Sequence, residues 1–548
     1  MINVTYKNNI YQSKTHISIE DFIKLNHLNT HSHCYVGATI NNIPQDLTYT
    51  INKSCTLELI DISSTLGQKI YKNSLSFLFV KAVYDTLNKA SVTLCHTISK
   101  GQYCEIEGYN KIDSEIIKQI KTRMDELINL NIPFKKMILT KEDAIELFMS
   151  IKKYDHVELL NTMYKETVNI YTLDGYITYF NDYIVPSTGY LSTYDIVQED
   201  TGVVLLCPKK SNPMEIQEHL TQPKLLNAFR ETKKWGQIMN VSNVSELNKK
   251  VLSSEHGELI RTVEALQERK IADIAQTIYD LKKRVILIAG PSSSGKTTTS
   301  KRIETQLKVL GLKPISISLD DYFINRDKTP LDEFGAKDYE SIYALDLELF
   351  NKDMCSLLKG EEVELPTYNF LKGCREYKGH KIKINNDQPI ILEGIHGLNP
   401  LLTKDIDNNE KFKIYISPIT QLNLDKHNRL SSTDCRLMRR IVRDFNFRGN
   451  SAEDTFAMWD SVRRGEEKNI FPYQEEADVI INSTLIYEVP VLKKYIEPLL
   501  IAVTTQSSYY VEAKRLLNML TYFTIINDEK DIPSYSIIKE FIGGSTLV

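Results

Sequence analysis

Residues Arg284 to Thr299 read RVILIAGPSSSGKTTT, and this stretch decides the fold. An apolar run from Val285 to Ala289 ends at Gly290, and Gly295 and Lys296 follow after four small or turn-forming residues. A buried strand, a loop with two glycines and a helix that starts near the lysine form the phosphate-binding P-loop pattern. The N–H groups of such a loop and the positive end of the helix together bind polyphosphate. The sequence therefore predicts a nucleotide-binding domain.

The chemistry expected of this loop follows from its side chains. Lys296 is expected to reach the outer phosphates, and the Thr297 hydroxyl is expected to bind Mg²⁺. An ordinary turn between a strand and a helix is the alternative, and the flanking elements argue against it. The residues expected to bind the nucleotide are Gly290, Pro291, Ser292, Ser293, Ser294, Gly295, Lys296, Thr297 and Thr298.

Composition and length describe an ordinary globular protein with several domains. The chain has 548 residues, of which 42% are hydrophobic and 25% charged, and it is too long for one hydrophobic core. Its net charge of -4 gives no overall basic field, so a nucleic-acid contact would have to be local. The eight cysteines form no CxxC pair and indicate reduced thiols. No signal peptide or apolar run of about 18 residues is visible, so we expect a cytoplasmic protein without a membrane span.

The amino-terminal third is predicted to hold two small α+β modules. Residues 1–62 alternate short β-type runs with one helix near Ile19 to Leu28. Residues 63–200 are predicted to contain helices such as Ser74 to Asn88. His31, His33 and Cys34 lie close together in the first module, but no second ligand pair at zinc spacing follows, which favours a polar loop.

These residues resemble the two amino-terminal modules of threonyl-tRNA synthetases, a ubiquitin-like TGS domain and an editing domain. The stretches that carry the resemblance are LELIDISSTLGQKIYKNSLSFLF, ISKGQYCEIEG, IPFKKMILTKEDAIELF and DYIVPSTGY. The polar ligand positions of that editing domain fall here on Asn73, Phe77, Phe180 and Ile184. Phenylalanine and isoleucine neither ligate a metal nor exchange a proton, so we expect editing chemistry to be absent. Two roles remain for these modules: structural support of the rest of the chain or its oligomer, and a binding or regulatory role with affinity for nucleotide, tRNA or other RNA. The lack of a basic and aromatic stripe favours the first.

Residues 201–283 are predicted to form a helical connector. Helices are expected over Pro213 to Trp235 and over Val244 to Lys283, where apolar residues recur at a spacing of three to four. We expect these helices to pack on the P-loop domain, and a homo-oligomer contact is the alternative.

Residues 284–490 alternate strand and helix signals, which predicts an α/β fold with a parallel sheet between helices. The next strand, PISISL, ends at Asp320 and Asp321, and we place it beside the P-loop strand. There Asp320 could accept the proton of an attacking hydroxyl, or could simply cap the following turn. The third strand places Glu393 where a carboxylate can hold Mg²⁺, with an ion pair as the alternative.

Four arginines recur at helical spacing in TDCRLMRRIVRDFNFRGN, which spans residues 433–450. Arg436, Arg439, Arg440 and Arg443 are predicted to share one face, where they repel one another unless anions are present. Transferring phosphates would supply such anions. An exposed basic face, with Asp434 and Asp444 as partners, and an RNA-binding patch are the alternatives.

From Val285 to about Pro490 the chain resembles the uridine kinase branch of the phosphoribulokinase and uridine kinase family. The matching stretches are GPSSSGKTT, SLDDYF, DYESIYALD, LPTYNF, ILEGIHGL, the arginine series and FPYQEEADVIIN. The resemblance implies ATP and Mg²⁺ as cofactors, and it implies a nucleoside whose 5′-hydroxyl is activated by Asp320. It further implies Glu340 on the ribose, Tyr368 and Phe370 at the base, Arg375 in the substrate site, and Arg440, Arg443 and Arg448 as lid or phosphate ligands.

Several positions depart from the family pattern. Glu340 stands where aspartate is usual, Asn369 replaces aspartate, Gly373 replaces a base-contacting histidine, and Asn450 replaces the last lid arginine. Such losses can change acceptor discrimination by orders of magnitude. The expected activity is a kinase for a pyrimidine nucleoside. A kinase for another small hydroxylated acceptor and an RNA-linked protein with an ATP-driven P-loop switch are the alternatives.

The last residues, 491–548, are predicted to be a helical tail. Helices are expected over Val489 to Val503 and over Tyr510 to Tyr522. The ending IKEFIGGSTLV is expected to be frayed, with a binding turn at Gly543 and Gly544 as the alternative.

Overall fold

The computed structural model describes residues 1–28, 34–109, 111–180, 183–333, 335–369, 371–420 and 422–548. His31, His33 and Phe370 therefore lie outside the described residues, whereas Cys34 is described and is exposed. Within the described ranges, no helix is long and apolar enough to cross a membrane.

The amino-terminal residues form a mixed sheet packed against one helix. The elements are β1 (Ile2–Tyr6), β2 (Asn9–Ser13), β3 (Ile17–Ser18), α1 (Ile19–Leu25), β4 (Tyr35–Ile40), β5 (Ile43–Gln45), β6 (Thr50–Ile51) and β7 (Cys55–Asp61). The sheet order is β2-β1-β7-β4-β5, with β1 and β7 parallel and the other neighbours antiparallel. Helix α1 begins where the Ser18 side chain accepts a hydrogen bond from the Asp21 N–H, and it buries Phe22 against Val4 and Leu57.

The second module holds two antiparallel sheets. Its elements are α2 (Thr65–Thr86), β8 (Val92–Ile98), β9 (Gly101–Ile106), α3 (Ser114–Asn129), β10 (Lys135–Thr140), α4 (Lys141–Ser150), α5 (Tyr154–Thr162), β11 (Thr167–Leu173), β12 (Tyr176–Tyr179), β13 (Asp195–Glu199) and β14 (Gly202–Leu206). The sheets have the orders β13-β14-β9-β8 and β10-β11-β12. Helix α2 begins at Thr65 instead of the predicted Ser74, because the Ser64 hydroxyl accepts a hydrogen bond from the Gly67 N–H at 3.0 Å.

The connector differs from the two long helices that were predicted. It contains α6 (Pro223–Ile238), α7 (Val244–Leu252) and α8 (His256–Asp280). Helix α6 begins at Pro223 instead of Pro213, and the preceding residues turn back so that the Gln217 N–H donates to the Cys207 carbonyl oxygen at 3.0 Å. Helices α7 and α8 are separate because Ser254 has a φ of 63°, which a right-handed helix cannot contain.

The P-loop domain is built on a sheet in which all five strands are parallel. Its elements are β15 (Val285–Ala289), α9 (Lys296–Val309), β16 (Ile315–Ser318), α10 (Leu347–Leu358), β17 (Val363–Asn369), β18 (Cys374–Ile382), β19 (Ile390–Glu393), β20 (Lys411–Ser417), α11 (Ser432–Arg448), α12 (Ala452–Asn469) and β21 (Val479–Asn482). The sheet order is β16-β19-β15-β20-β21, and β17 pairs with β18 as a separate hairpin. The prediction that β16 lies beside the P-loop strand is therefore wrong, because β19 lies between them.

The carboxyl-terminal residues pack on the P-loop domain. They form α13 (Glu488–Ile501), α14 (Tyr510–Leu520) and the short α15 (Lys539–Ile542). The expected frayed ending is wrong, because Ile538 and Phe541 are buried and the Asn446 side-chain amide donates to the Phe541 carbonyl oxygen at 3.1 Å.

The second module, the connector, the P-loop domain and the carboxyl-terminal residues share one hydrophobic cluster, which includes Val157, Leu247, Leu437 and Leu492. A loop before α11 enters the second module. There, Thr178 Oγ1 lies 2.7 Å from His427 Nδ1, and the Asn428 amide donates to the Tyr179 carbonyl oxygen at 2.9 Å. Helix α8 packs on the P-loop domain itself, since the Gln267 amide donates to the Asn482 carbonyl oxygen at 2.8 Å.

Candidate active site

The P-loop runs from the end of β15 to the first turn of α9, and its two glycines are required by its path. A Cβ atom at Gly290 would lie 2.0 Å from the Ile416 carbonyl oxygen of β20. Gly295 has a φ of 87°, a conformation that side-chain-bearing residues rarely adopt. The loop can therefore pass over the neighbouring strand and lead into the first turn of α9.

The side chains of Lys296 and Thr297 extend from the first turn of α9, and that of Thr297 points to β19. The Lys296 ammonium donates to the carbonyl oxygens of Gly290 at 3.0 Å and Pro291 at 3.2 Å. Burial lowers its pKa, and the nearby carboxylates of Glu393 and Asp320 oppose that fall. Thr297 Oγ1 lies 3.2 Å and 3.3 Å from the two carboxylate oxygens of Glu393.

The pair formed by Thr297 and Glu393 is suited to Mg²⁺. A hydroxyl and a carboxylate supply the hard oxygen ligands that this ion prefers. Burial raises the pKa of Glu393, and the Lys296 charge opposes the rise. Glu393 lies at the end of β19, the strand adjacent to β15, so the sheet order places this carboxylate beside the P-loop.

The remaining loop residues contact charged side chains. The Ser292 N–H donates to Glu466 at 3.0 Å, and the Ser292 hydroxyl accepts from Arg440 at 2.7 Å. Ser293 and Ser294 are buried within the loop. The Thr298 hydroxyl donates to the Glu540 carboxylate at 2.6 Å.

Asp320 lies in a short 3-10 turn at the end of β16. It lines an open cleft that water reaches, yet the protein atoms around the cleft raise its pKa, and the positive charge of Lys296 opposes that rise. Its neighbour Asp321 has a different contact, because its carboxylate accepts a hydrogen bond from the Tyr368 N–H at 3.1 Å. The structure thus brings Asp320 close enough to Lys296 for their charges to interact across the cleft.

Glu340 lies close enough to Lys296 for their charges to interact. Its side chain packs closely on α12, where a Cβ atom at Gly465 would lie 2.5 Å from the Glu340 Cβ. Burial and the negative charge of Glu466 raise the pKa of Glu340 to about 7, while Arg440 and Lys296 oppose the rise. This carboxyl group therefore exchanges its proton near neutral pH.

The arginines of α11 form two groups. In the first group, carboxylates of the protein neutralise the guanidinium charges. Arg436 binds Glu466 through both terminal nitrogens, and Arg439 binds Glu488 and the Ser483 carbonyl oxygen. Both side chains are almost fully buried. The expectation that all four present one face to phosphate is therefore wrong for Arg436 and Arg439, because buried ion pairs hold them inside the domain.

The second group surrounds Asp444, which is fully buried. Its carboxylate lies 3.2 Å from Arg440, 2.7 Å from Arg443 and 3.5 Å from Arg448. Arg448 is exposed. The surrounding protein atoms lower its pKa, and the negative charge of Asp320 opposes that fall. These three arginines therefore remain candidates for phosphate contacts at the cleft.

The hairpin β17–β18 holds the residues expected at the acceptor base. Tyr368 is buried, with its ring centroid 5.6 Å from that of Phe323. The guanidinium group of Arg375 binds Asp346 at 2.9 Å. Asn369 closes the hairpin turn, since its side chain accepts from the Lys372 N–H at 3.1 Å and its carbonyl oxygen accepts from the Gly373 N–H at 2.7 Å.

Gly373 and Arg326 form a contact that the sequence did not indicate. Gly373 has a φ of 68°, and a Cβ atom there would lie 2.8 Å from Arg326 Nε. Burial raises the pKa of Tyr368, and the Arg326 guanidinium, which is hydrogen-bonded to its hydroxyl, opposes the rise. An arginine from a distant loop thus covers the position where the family pattern has histidine.

The altered ligand positions of the second module lie in its hydrophobic core. Phe77, Phe180 and Ile184 belong to one cluster, and the rings of Phe77 and Phe180 have centroids 5.3 Å apart. Asn73 is half-buried on α2.

Comparisons with known proteins find two different similarities, one in the P-loop domain and one at the front of the chain. A family model described as the phosphoribulokinase / uridine kinase family matches residues 285–489. A uridine kinase of Macrococcus caseolyticus is 31% identical over 201 residues, which are 36% of this chain and 88% of that protein. A uridine kinase of Halobacterium salinarum is 29% identical over 195 residues, which are 35% of this chain and 77% of that protein.

The front of the chain is similar to a different enzyme. A threonine–tRNA ligase of Fusobacterium nucleatum is 28% identical over 163 residues, which are 29% of this chain and 26% of that ligase. Both resemblances expected from the sequence are therefore confirmed. Because the chain spans only about a quarter of the ligase, the similarity extends to part of that enzyme and not to the whole.

Because Gly373 contacts Arg326, we expect two glycine substitutions in one hairpin to lower the free energy of unfolding by different amounts. Gly379 also has a positive φ, of 76°, but none of the described atoms lies within 4 Å of the place that a Cβ atom would take there. We expect Gly379→Ala to lower stability by about 1 kcal/mol, from backbone strain alone. Gly373→Ala should cost about 2–3 kcal/mol, because the clash with Arg326 is added.

Thermal unfolding midpoints of the two variants measure this difference. Adding Arg326→Ala to Gly373→Ala should recover most of the extra loss. Equal costs at the two glycines would show that Arg326 is not fixed over Gly373.

Proposed function

The chain belongs to the phosphoribulokinase and uridine kinase family, and on that basis we propose that it transfers the γ-phosphate of ATP to the 5′-hydroxyl of a pyrimidine nucleoside. Membership makes it a phosphotransferase that acts on an alcohol group. The observation that carries the finer proposal is the arrangement of the cleft. The charge of Lys296 from the P-loop interacts there with those of Asp320, which follows β16, and of Glu340.

Asp320 is the proposed general base. Burial raises the pKa of Asp320, and a carboxylate with a raised pKa is a stronger base than an ordinary aspartate. As the acceptor oxygen bonds to the γ-phosphorus, the bond from that phosphorus to the bridging oxygen of ATP breaks, and ADP leaves. The hydroxyl proton passes to the Asp320 carboxylate and from there to water, because the cleft is open.

The charges of the phosphoryl group would be offset by Lys296 and by the arginines around Asp444. Arg440 is already hydrogen-bonded to the loop through Ser292, and Arg443 and Arg448 share the same buried carboxylate. Mg²⁺ would be held by Thr297 and Glu393 and would supply further positive charge at the phosphates. The contribution of the protein is thus positioning and electrostatic stabilisation.

Recognition of the acceptor is assigned to Glu340 and to the hairpin. An ionised Glu340 can accept hydrogen bonds from two ribose hydroxyls. Tyr368 is the aromatic residue that the family pattern assigns to the base, and the Arg326 guanidinium beside it has only N–H donors. A donor-only group suits the O2 and O4 carbonyl oxygens of uracil and the O2 and N3 acceptors of cytosine, which is compatible with uridine or cytidine as the acceptor.

For the second module we propose structural support of the kinase domain. The argument rests on the contacts of His427 and Asn428 with β12, and on the shared hydrophobic cluster. Phe77, Phe180 and Ile184 leave three of the four ligand positions of the editing domain without a polar side chain.

A panel of acceptors tests the proposed activity. We expect Mg-ATP-dependent formation of the monophosphate from uridine or cytidine, and no reaction with adenosine, guanosine or ribose 5-phosphate. Lys296→Ala should abolish turnover, which excludes a contaminating kinase. If ATP bound but every acceptor stayed unphosphorylated, the activity would be wrong and an RNA-linked role of the P-loop domain would be favoured.

The role of Asp320 predicts a specific loss in Asp320→Asn. Turnover should fall by about 10²–10⁴-fold, the usual contribution of a general base, while ATP affinity stays close to wild type. Asp321→Asn is the matched control, because its amide oxygen can still accept from the Tyr368 N–H. Near wild-type turnover in Asp320→Asn would refute the assignment.

The raised pKa of Glu340 predicts a pH dependence of acceptor use. The ionised form accepts the ribose hydroxyls, so kcat/KM for the acceptor should rise with pH through a midpoint of about 7. In Glu340→Gln this midpoint should disappear, and in Glu333→Gln, which alters an exposed loop residue, it should remain. Persistence of the midpoint in Glu340→Gln would assign it to another group.

A further inference from the structure

The carboxyl-terminal segment, residues 533–548, crosses the phosphate-binding end of helix α9. Glu540 accepts hydrogen bonds from the Thr298 hydroxyl at 2.6 Å and from the Thr298 N–H at 3.4 Å. Ile537 covers the loop beside it, since a Cβ atom at Gly295 would lie 2.7 Å from Ile537 Cγ2. One acidic and one apolar side chain of this segment therefore contact the P-loop directly.

The segment is held in this place by contacts with several other parts of the chain. The Ser536 hydroxyl donates to Glu264 of helix α8 at 2.6 Å. Phe541 is fully buried, with the Arg439 guanidinium carbon 5.2 Å from its ring centroid. Lys539 forms an ion pair with Glu529 at 3.0 Å. The position of Glu540 is thus determined by packing, and not by the contact with Thr298 alone.

The first-turn N–H groups of the helix after a P-loop are the donors that bind nucleotide phosphates. Here one of them, with the hydroxyl of the same residue, is already bound to a carboxylate of the chain. A carboxylate and a phosphate oxygen have the same charge sign and the same hydrogen-bonding capacity, so they compete for these donors.

We propose that residues 533–548 are an autoinhibitory segment in which the Glu540 carboxylate occupies a phosphate position of the nucleotide site. ATP binds only after this segment is displaced, and the packed segment sets a lower apparent affinity for ATP. The inference rests on the proposed function only in taking the P-loop as the ATP site, and it holds whatever the acceptor is.

The charges around the loop are consistent with this arrangement. Glu540 lies near enough to Lys296 to oppose the fall in the pKa of that lysine, as a bound phosphate would. It also contributes to the raised pKa of Glu393. The same carboxylate thus acts on two of the groups proposed to bind ATP and Mg²⁺.

The first test compares equilibrium affinities for Mg-ATP, measured by titration calorimetry on the full chain. Glu540→Gln keeps the shape but removes the charge, which roughly halves the strength of the hydrogen bonds to Thr298. We expect its Kd to fall by about tenfold. Asp528→Asn, an exposed carboxylate in the same carboxyl-terminal region, should leave the Kd unchanged. An unchanged or weaker affinity in Glu540→Gln overturns the proposal.

The second test follows backbone hydrogen exchange of residues 533–548 in the wild-type chain. Saturating Mg-ATP should speed exchange in this segment at least severalfold, because the nucleotide displaces it. Slower exchange would mean that the segment closes over bound ATP as part of the site, and unchanged exchange would mean that it does not compete; either result overturns the proposal. Both tests measure ATP binding alone, so a failed acceptor panel would refute the proposed activity without affecting them.

Discussion

The tightest steric constraint on the P-loop is the passage of the Gly290 backbone over strand β20. A Cβ atom at this position would lie 2.0 Å from the Ile416 carbonyl oxygen, so only glycine lets the loop take this path. The path in turn places the first turn of α9 at the carboxyl edge of the sheet. Lys296 and Thr297 leave that turn towards Glu393, and every other group of the site is arranged around them.

Charge compensation determines which basic side chains are available to a substrate. Glu466 and Glu488 neutralise Arg436 and Arg439 inside the domain, so these residues stabilise α11 against the loop. Asp444 instead gathers three arginines at the edge of the cleft, with Arg448 exposed. The same principle operates at α9, where a carboxylate of the chain meets donors that suit a phosphate. Arginines on one helix thus have different roles, because two of them are paired with carboxylates from other helices and three share a carboxylate of α11 itself.

Local patterns predicted the elements of the P-loop domain well, and long-range contacts account for the differences. The strand before the loop and the start of α9 were predicted from apolar periodicity and the glycine spacing. The position of β16 in the sheet was not predicted correctly, because the order of parallel strands depends on how the crossovers pack. Arg326 was missed because its contact with Gly373 joins two loops, and Ser254 broke a predicted helix through its backbone conformation.

The sequence by itself determined the nucleotide-binding loop, the α/β class of its domain and the family, since these depend on short-range spacing and on ordered motifs. It also identified Lys296, Thr297, Asp320 and Glu393 as a set with complementary chemistry. Only the tertiary structure decided which arginines are neutralised, what covers Gly373 and where Glu540 lies. These outcomes depend on electrostatic and packing contacts between residues far apart in the chain, and such contacts leave no periodic signal in the sequence.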